Sequence, residues 1–167
     1  MKLRPAVVED LTCVLSWIST AESLRLWGGP LLSFPPEVKV TWQEIVADCQ
    51  NSFVLEDQRN QILGFGQTLL REAGVIHFAR IILAPQVRGR GWGRELCEQL
   101  MRQSLLHHRP TKFTLNVYRD NQTALALYRR LGFRMAQHHP MQGAYAMEFI
   151  CSGGTCFRFI GLLCAAR

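Results

Sequence analysis

Lysine is nearly missing from this chain. It stands only at 2, 39 and 112, although lysine and arginine together number 19 against 13 acidic residues, so arginine carries the net charge of +6. The arginines are scattered, and outside one central turn no basic stripe interleaved with aromatics appears, which argues against nucleic acid as the partner. Long apolar runs are missing too: nothing approaches the roughly 20 residues that span a bilayer. Glu9 and Asp10 interrupt the first apolar stretch too early for a secretory leader. The six cysteines form no C-x-x-C pair. Cys13, Cys49 and Cys97 fall in predicted helices, while Cys151, Cys156 and Cys164 crowd into the tail, which argues against a disulfide framework and a zinc site alike. The pairs His107-His108 and His138-His139 lack metal spacing and read as solvated loop residues, so no metal is expected. Internal repeats and low-complexity segments are absent as well. These absences leave a cytoplasmic protein with reduced thiols and no membrane attachment. Its 167 residues, 48% apolar and 19% charged, suit one globular domain.

What is present centres on Val75 to Leu106. A β-branched run, VIHFARIIL, ends at Ala84-Pro85, and the turn QVRGRGWG opens directly into RELCEQLMRQSLL. Leu96/Cys97, Leu100/Met101 and Leu105 recur at helical spacing, with Arg94, Glu95, Glu98 and Arg102 on the other side. Strand, glycine turn and helix together make an anion-binding arrangement. The first helical N–H groups have no partner inside the helix, and the helix dipole favours negative charge there. Gly89, Gly91 and Gly93 remove side chains that would keep a phosphate from the backbone, and Arg88, Arg90 and Arg94 add charge around the same spot. The dinucleotide fingerprint fails because Arg94 and Leu96 stand where its last glycine is needed, and no lysine makes a Walker-type loop.

In chain order, Met1 to Val7 reads as an edge strand, and Glu9 or Asp10 starts a helix with Leu11, Val14, Leu15 and Ile18 on its apolar side. Ala21 to Trp27 is a second helix, stopped by Gly28-Gly29-Pro30. Leu31 to Val40 is expected to be loop, and Thr41 to Cys49 a short helix with a Thr41/Glu44 capping box. Ser52 to Asp57 and Gln61 to Arg71 form a hairpin, and Gly64 and Gly66 inside its second strand indicate a bulge or a close approach. Lys112 to Tyr118 is a strand after the break at His107 to Pro110. Asn121 caps a helix to Leu131 that Gly132 ends, and Phe133 to Gln137 and Ala144 to Ile150 are the last strands. Residues 151–167 begin with a glycine linker and end in a short apolar piece, which reads equally as an added strand, a packing arm for a second subunit, or a disordered end.

Two motifs carry a resemblance. Arg88-Gly89-Arg90-Gly91-Trp92-Gly93 matches the R/Q-x-x-G-x-G/A pyrophosphate turn of the GNAT N-acetyltransferase superfamily. Leu115 to Phe133, LNVYRDNQTALALYRRLGF, is similar to the superfamily's second signature, with every fixed position filled. The resemblance covers nearly all of residues 1–150 and looks closest to the branch that acetylates protein N-terminal amines. It implies an α+β fold with a mixed, largely antiparallel sheet, splayed central strands and flanking helices. It also implies an acyl-CoA-dependent N-acyltransferase that takes acetyl-CoA as co-substrate, with a small molecule or peptide bearing an amine as acceptor, and allows a homodimer. On this resemblance the backbone of Ile82 and Leu83 would pair with the pantetheine arm where two strands splay. Amides from Arg88 to Arg94 would hold the pyrophosphate, Asn121 would reach the arm, and Tyr128 would protonate the departing thiolate.

Each residue also has a plainer role. Asn121 is a good N-cap without any ligand, Tyr128 lies with Ala124, Leu127 and Leu131 on an apolar face, and Trp92 is either a lid or a cap on the new helix. Trp17, Trp27, Phe34 and Trp42 fall in the region that lines the acceptor site in this family, yet suit a core equally. One position departs from the pattern: Asn116 stands where the N-terminal-amine branch carries a glutamate, and an amide is no base near neutral pH. His77, placed by alternation beside Ala79, Ile81 and Leu83, is the nearest substitute, or else a structural histidine. A CoA-binding module without turnover is the competing function.

Overall fold

The computed structural model describes residues 1–137 and 143–151. Among the described residues, seven strands and five helices succeed one another in the order β1 (Lys2–Pro5), α1 (Asp10–Ser16), α2 (Ala21–Gly28), α3 (Val38–Glu44), β2 (Ser52–Glu56), β3 (Ile62–Glu72), β4 (Val75–Leu83), α4 (Trp92–His108), β5 (Lys112–Tyr118), α5 (Gln122–Leu131), β6 (Arg134–Met135) and β7 (Ala144–Ile150). The strands hydrogen-bond in the order β1-β2-β3-β4-β5-β7-β6. Pairing is antiparallel between β1 and β2, β2 and β3, β5 and β7, and β6 and β7; β4 and β5 run parallel. This is the mixed, largely antiparallel sheet with helices that the resemblance implies. Among the described residues no helix is long and apolar enough to cross a membrane.

Two compact units divide the chain, and β3, β4 and α4 each run through both. The first comprises residues 1–67 and 80–96. Its core forms because α1 and α2 carry leucine, valine and isoleucine at helical spacing: Leu11, Val14, Leu15, Ile18, Leu24 and Trp27 bury together with Val54 and Phe65 of the strands. Thr20 starts α2 with a capping box, exchanging bonds with Ser23. The β2–β3 ladder skips Leu63 at a bulge beside Leu55/Glu56. The turn between these strands is built on Asp57, whose Oδ1 accepts from the N–H groups of Arg59 and Gln61 at 2.8 and 2.9 Å.

The second unit comprises residues 68–79 and the described residues from 97 onward. Alternation along β5 buries Phe113, Leu115 and Val117 and leaves Asn116 exposed. Phe78, Phe113, Phe133, Phe149 and Tyr128 form an aromatic cluster, with ring centroids 5.4–6.4 Å apart.

Several expectations are corrected. The third helix begins at Val38, not Thr41; Glu37 is its extended N-cap without a side-chain bond, and Thr41 is buried inside it. The Pro35-Pro36 break releases the chain earlier than the capping-box pattern suggested. That helix also stops before Cys49, because Val46 turns to φ +50° and Asn51 Nδ2 donates to its carbonyl at 2.9 Å; Cys49 is an exposed turn residue. His107 and His108 are the exposed last residues of α4 rather than loop, and the strand expected at 133–137 shortens to Arg134–Met135. Alternation along β4 cannot be carried past Arg80, whose φ of +53° interrupts the period of two. His138, His139, Cys156, Cys164 and the tail from 152 lie outside the described residues.

Candidate functional site

The glycine turn joins β4 to α4. After Leu83 the chain makes a short helical turn at Pro85–Val87, and Gly89 and Gly91 adopt φ of +75° and +86°. A Cβ at either would meet nothing within 4 Å, so the backbone conformation, not crowding, requires glycine there. Gly93 lies in the first turn of α4. Arg94 and Glu95 turn their amides inward, both to the Gly91 carbonyl, at 3.0 and 3.3 Å. The amides from Gly89 to Gly93 donate to no acceptor among the described residues. That is a row of five donors at the positive end of a 17-residue helix, with exposed Arg88, Arg90 and Arg94 beside it. Trp92, the first residue of α4, packs half-buried against Leu63, Ala84 and Val87.

Leading into the turn, Gly64 of β3 lets the strands close on each other. A Cβ there would lie 2.9 Å from Leu83 Cδ2 and 3.2 Å from the Ile82 carbonyl oxygen. Arg88 Nε donates to the Leu83 carbonyl at 3.1 Å, which leaves that oxygen one lone pair. The β4–β5 ladder covers only Val75–Phe78 against Lys112–Leu115 and stops short of Ile82 and Leu83.

The other expected residues lie in the second unit. Asn121 caps α5: its Oδ1 accepts from the Ala124 amide at 3.1 Å, which leaves its Nδ2 as a donor. Tyr128 is buried, edge-on to Phe133 at 5.9 Å. Its hydroxyl makes no hydrogen bond among the described residues. Burial, with the nearby Cys97 thiol, pushes the phenol well above its ordinary range. Cys97 is itself fully buried, and its thiol is pushed up to about 12 by that burial and the charge of Glu98.

His77 sits opposite Thr114 in the parallel ladder, with His77 Nδ1 2.9 Å from Thr114 Oγ1. Asn116, two residues further along β5, shares the Thr114 face, and so does Glu148 on β7, which is opposite Thr114 and pairs with Lys112 Nζ at 3.8 Å. Thr114 and Glu148 are additions that sequence reading missed. Their only signal is cross-strand register, which the chain does not spell out. Of the aromatics assigned to the acceptor region, Trp27 is core and Trp17 and Trp42 pack against it, while Phe34 is exposed. Among the described residues no cluster of three or more acidic, histidine or cysteine side chains could hold a metal ion.

Comparison with known proteins identifies the family. The family model for acetyltransferase (GNAT) matches residues 18–133, which include the glycine turn, His77, Asn121 and Tyr128. Spermidine N-acetyltransferase from Vibrio cholerae, solved in complex with CoA and spermine, is similar over 89% of this chain and 94% of its own, at 21% identity and a TM-score of 0.71. A chimera of that enzyme, SpeG, with hSSAT is similar over 96% and 99% at 22% identity and a TM-score of 0.70. A dodecameric form of the Vibrio enzyme matches over 89% and 92% at 22% identity and a TM-score of 0.64. At such identities the structures share the fold, and the family match carries the chemistry. The chain belongs to the acetyltransferase (GNAT) family and is an acyl-CoA-dependent N-acetyltransferase with acetyl-CoA as its co-substrate.

Proposed function

We propose that the chain moves the acetyl group of acetyl-CoA directly onto a primary amine of lowered basicity, in a ternary complex. In this reading the amides of Gly89 to Gly93 hold the pyrophosphate, with Arg88, Arg90 and Arg94 supplying charge. The backbone of Ile82 and Leu83 pairs with the pantetheine arm, and Asn121 reaches the arm through the Nδ2 that its capping role leaves over. The amine nitrogen attacks the thioester carbonyl and the C–S bond breaks. Tyr128 gives its proton to the leaving thiolate as negative charge develops on the sulfur. His77 Nε2 takes the proton lost by the amine, with Nδ1 held at Thr114.

The observation that carries the acceptor is the face around His77. Asn116, an exposed amide, occupies the position where a carboxylate base is expected, and Glu148 on the same face is engaged by Lys112. Attack needs a neutral amine. At pH 7 a lysine-like amine with pKa about 10.4 is less than roughly 0.1% neutral, whereas an α-amine near 7.7–8.0 is about 10–20% neutral. The difference of about 2.5 units is worth about 3.4 kcal/mol. A site short of a strong base therefore favours the weaker amine. The similarity to spermidine N-acetyltransferases favours a second reading, a polyamine acceptor. Against it, a polycation would approach a chain of net charge +6 whose Glu22, Asp10 and Glu56 are already paired with arginine.

Thiol release from acetyl-CoA at pH 7, with a peptide N-terminus, an Nα-blocked lysine and spermidine at equal concentration, separates these readings. The peptide amine is expected to react fastest. Spermidine or lysine outpacing it would refute the acceptor assignment.

A further inference from the structure

Arg80 sits in the middle of β4 with φ of +53°, a left-handed backbone that a long L side chain rarely adopts. Such a conformation persists only where the surroundings over-determine it. Here two side chains from different elements grip the residue at its two ends. Trp27 Nε1, from α2, donates to the Arg80 carbonyl at 2.8 Å. Gln67 Oε1, from β3, accepts from Arg80 Nη1 at 2.7 Å. Gln67 is fully buried, and its Nε2 donates to Ser52 Oγ at 2.9 Å, so the amide cannot flip without losing both bonds. The indole is held in turn, buried and edge-on to Phe65 at 6.0 Å. A left-handed residue inside a strand re-aims the backbone beyond it. In β4 that backbone is Ile81, Ile82 and Leu83, past the end of the β4–β5 ladder at Phe78.

We propose that Trp27 and Gln67 are positioning residues for the acyl-CoA arm: they clamp Arg80 in its left-handed conformation and thereby aim the Ile82–Leu83 backbone at the pantetheine. The inference rests on the reading that this backbone holds the arm. It gives Trp27, a core residue by burial, a task beyond packing. The clamp acts on the arm alone, because the phosphate-binding amides begin only at Gly89.

The test uses the full chain and two probes: CoA, and adenosine 3′-phosphate 5′-diphosphate, which is CoA without its pantetheine arm. The ratio of their affinities, read by calorimetry, isolates what the arm contributes. In the parent, CoA binds tighter than the nucleotide. Trp27→Phe keeps the ring and deletes the N–H donor; it should lower CoA affinity about tenfold, the scale of one or two lost hydrogen bonds, and leave nucleotide affinity within about twofold. Gln67→Leu carries the same expectation should Trp27→Phe not fold. Arg80→Gly accepts positive φ without a clamp, so Trp27→Phe should cost CoA binding less in that background than in the parent. An unchanged CoA-to-nucleotide ratio in a folded variant overturns the clamp, as does equal weakening of both probes or strict additivity with Arg80→Gly. A parent that binds CoA no tighter than the nucleotide would instead refute the arm's place on β4, and the clamp with it.

Discussion

Tyr128 and Cys97 are buried neighbours in charge terms, and burial drives both toward their neutral forms. For the thiol this means inertness: a group pushed up to about 12 holds almost no thiolate at neutral pH, so alkylating reagents should reach Cys49, which is exposed, long before Cys97. For the phenol the same burial keeps the hydroxyl neutral and makes it a weaker acid, so the proton-donor role proposed for it needs charge developing on the adjacent sulfur. Tyr128→Phe keeps the edge contact with Phe133 and removes only the hydroxyl. The expected outcome is a fall in kcat of about 10²–10⁴-fold with CoA affinity nearly intact, since the hydroxyl matters to the developing thiolate and little to the bound thioester. Pre-steady-state turnover beside a CoA titration would show it. A kcat within about twofold of the parent returns Tyr128 to simple packing.

Among the elements, the turn between β4 and α4 was the most legible from sequence, because its chemistry is local: alternating glycines, a missing intrahelical partner for each amide, and a helix declared by leucine spacing. The strand β5 and the capped helix α5 were legible for the same reason, with Asn121 and Gly132 marking the ends of α5. What could not be read was whatever depends on register or on the path of a loop. Nothing in the chain announces that Thr114 stands opposite His77, that Glu148 stands opposite Thr114, or that Arg80 leaves the strand geometry and is gripped by Trp27. The start of α3 was missed because Thr41 and Glu44 imitate a capping box inside the helix. The turn itself yields a clear expectation. At about 100 times its dissociation constant, CoA contributes roughly 2.7 kcal/mol by mass action, a readily measured rise in Tm. Gly91→Asp places a carboxylate among the five free amides and forces a side chain onto a backbone at φ +86°, and should abolish that rise. A variant that keeps its Tm shift would move the pyrophosphate elsewhere.

At the scale of the whole chain, an excess of arginine leaves few acidic groups, and the way they are paired sets the response to acid. Arg4 of β1 reaches Asp10 of α1 with Nη1 and Nη2 at 2.7 and 2.9 Å, and Glu56 of β2 with Nε at 2.6 Å. The Val7 amide adds a fourth bond, to Asp10 at 2.8 Å. Burial alone would raise the Asp10 pKa, but the bonds from Arg4 and Val7 and the charge of Arg4 outweigh it and hold the carboxyl below its usual value. A carboxyl depressed in the folded state stabilises fully above its unfolded pKa, about 3.9, and that contribution is lost as pH falls through the lower folded value. Protonation of Asp10 in acid would untie α1 from Arg4 of β1, while the β1–β2 backbone ladder stays in place. Asp10→Asn should therefore lower stability at pH 7 by about 1.5–3 kcal/mol, the range for bonds to charged groups, and should flatten the decline in acid. Urea midpoints between pH 7 and pH 2.5 give both readings. A variant whose midpoint falls as steeply as the parent's below pH 4 would show that other carboxylates set the acid limit and that the Arg4 cluster contributes little to it.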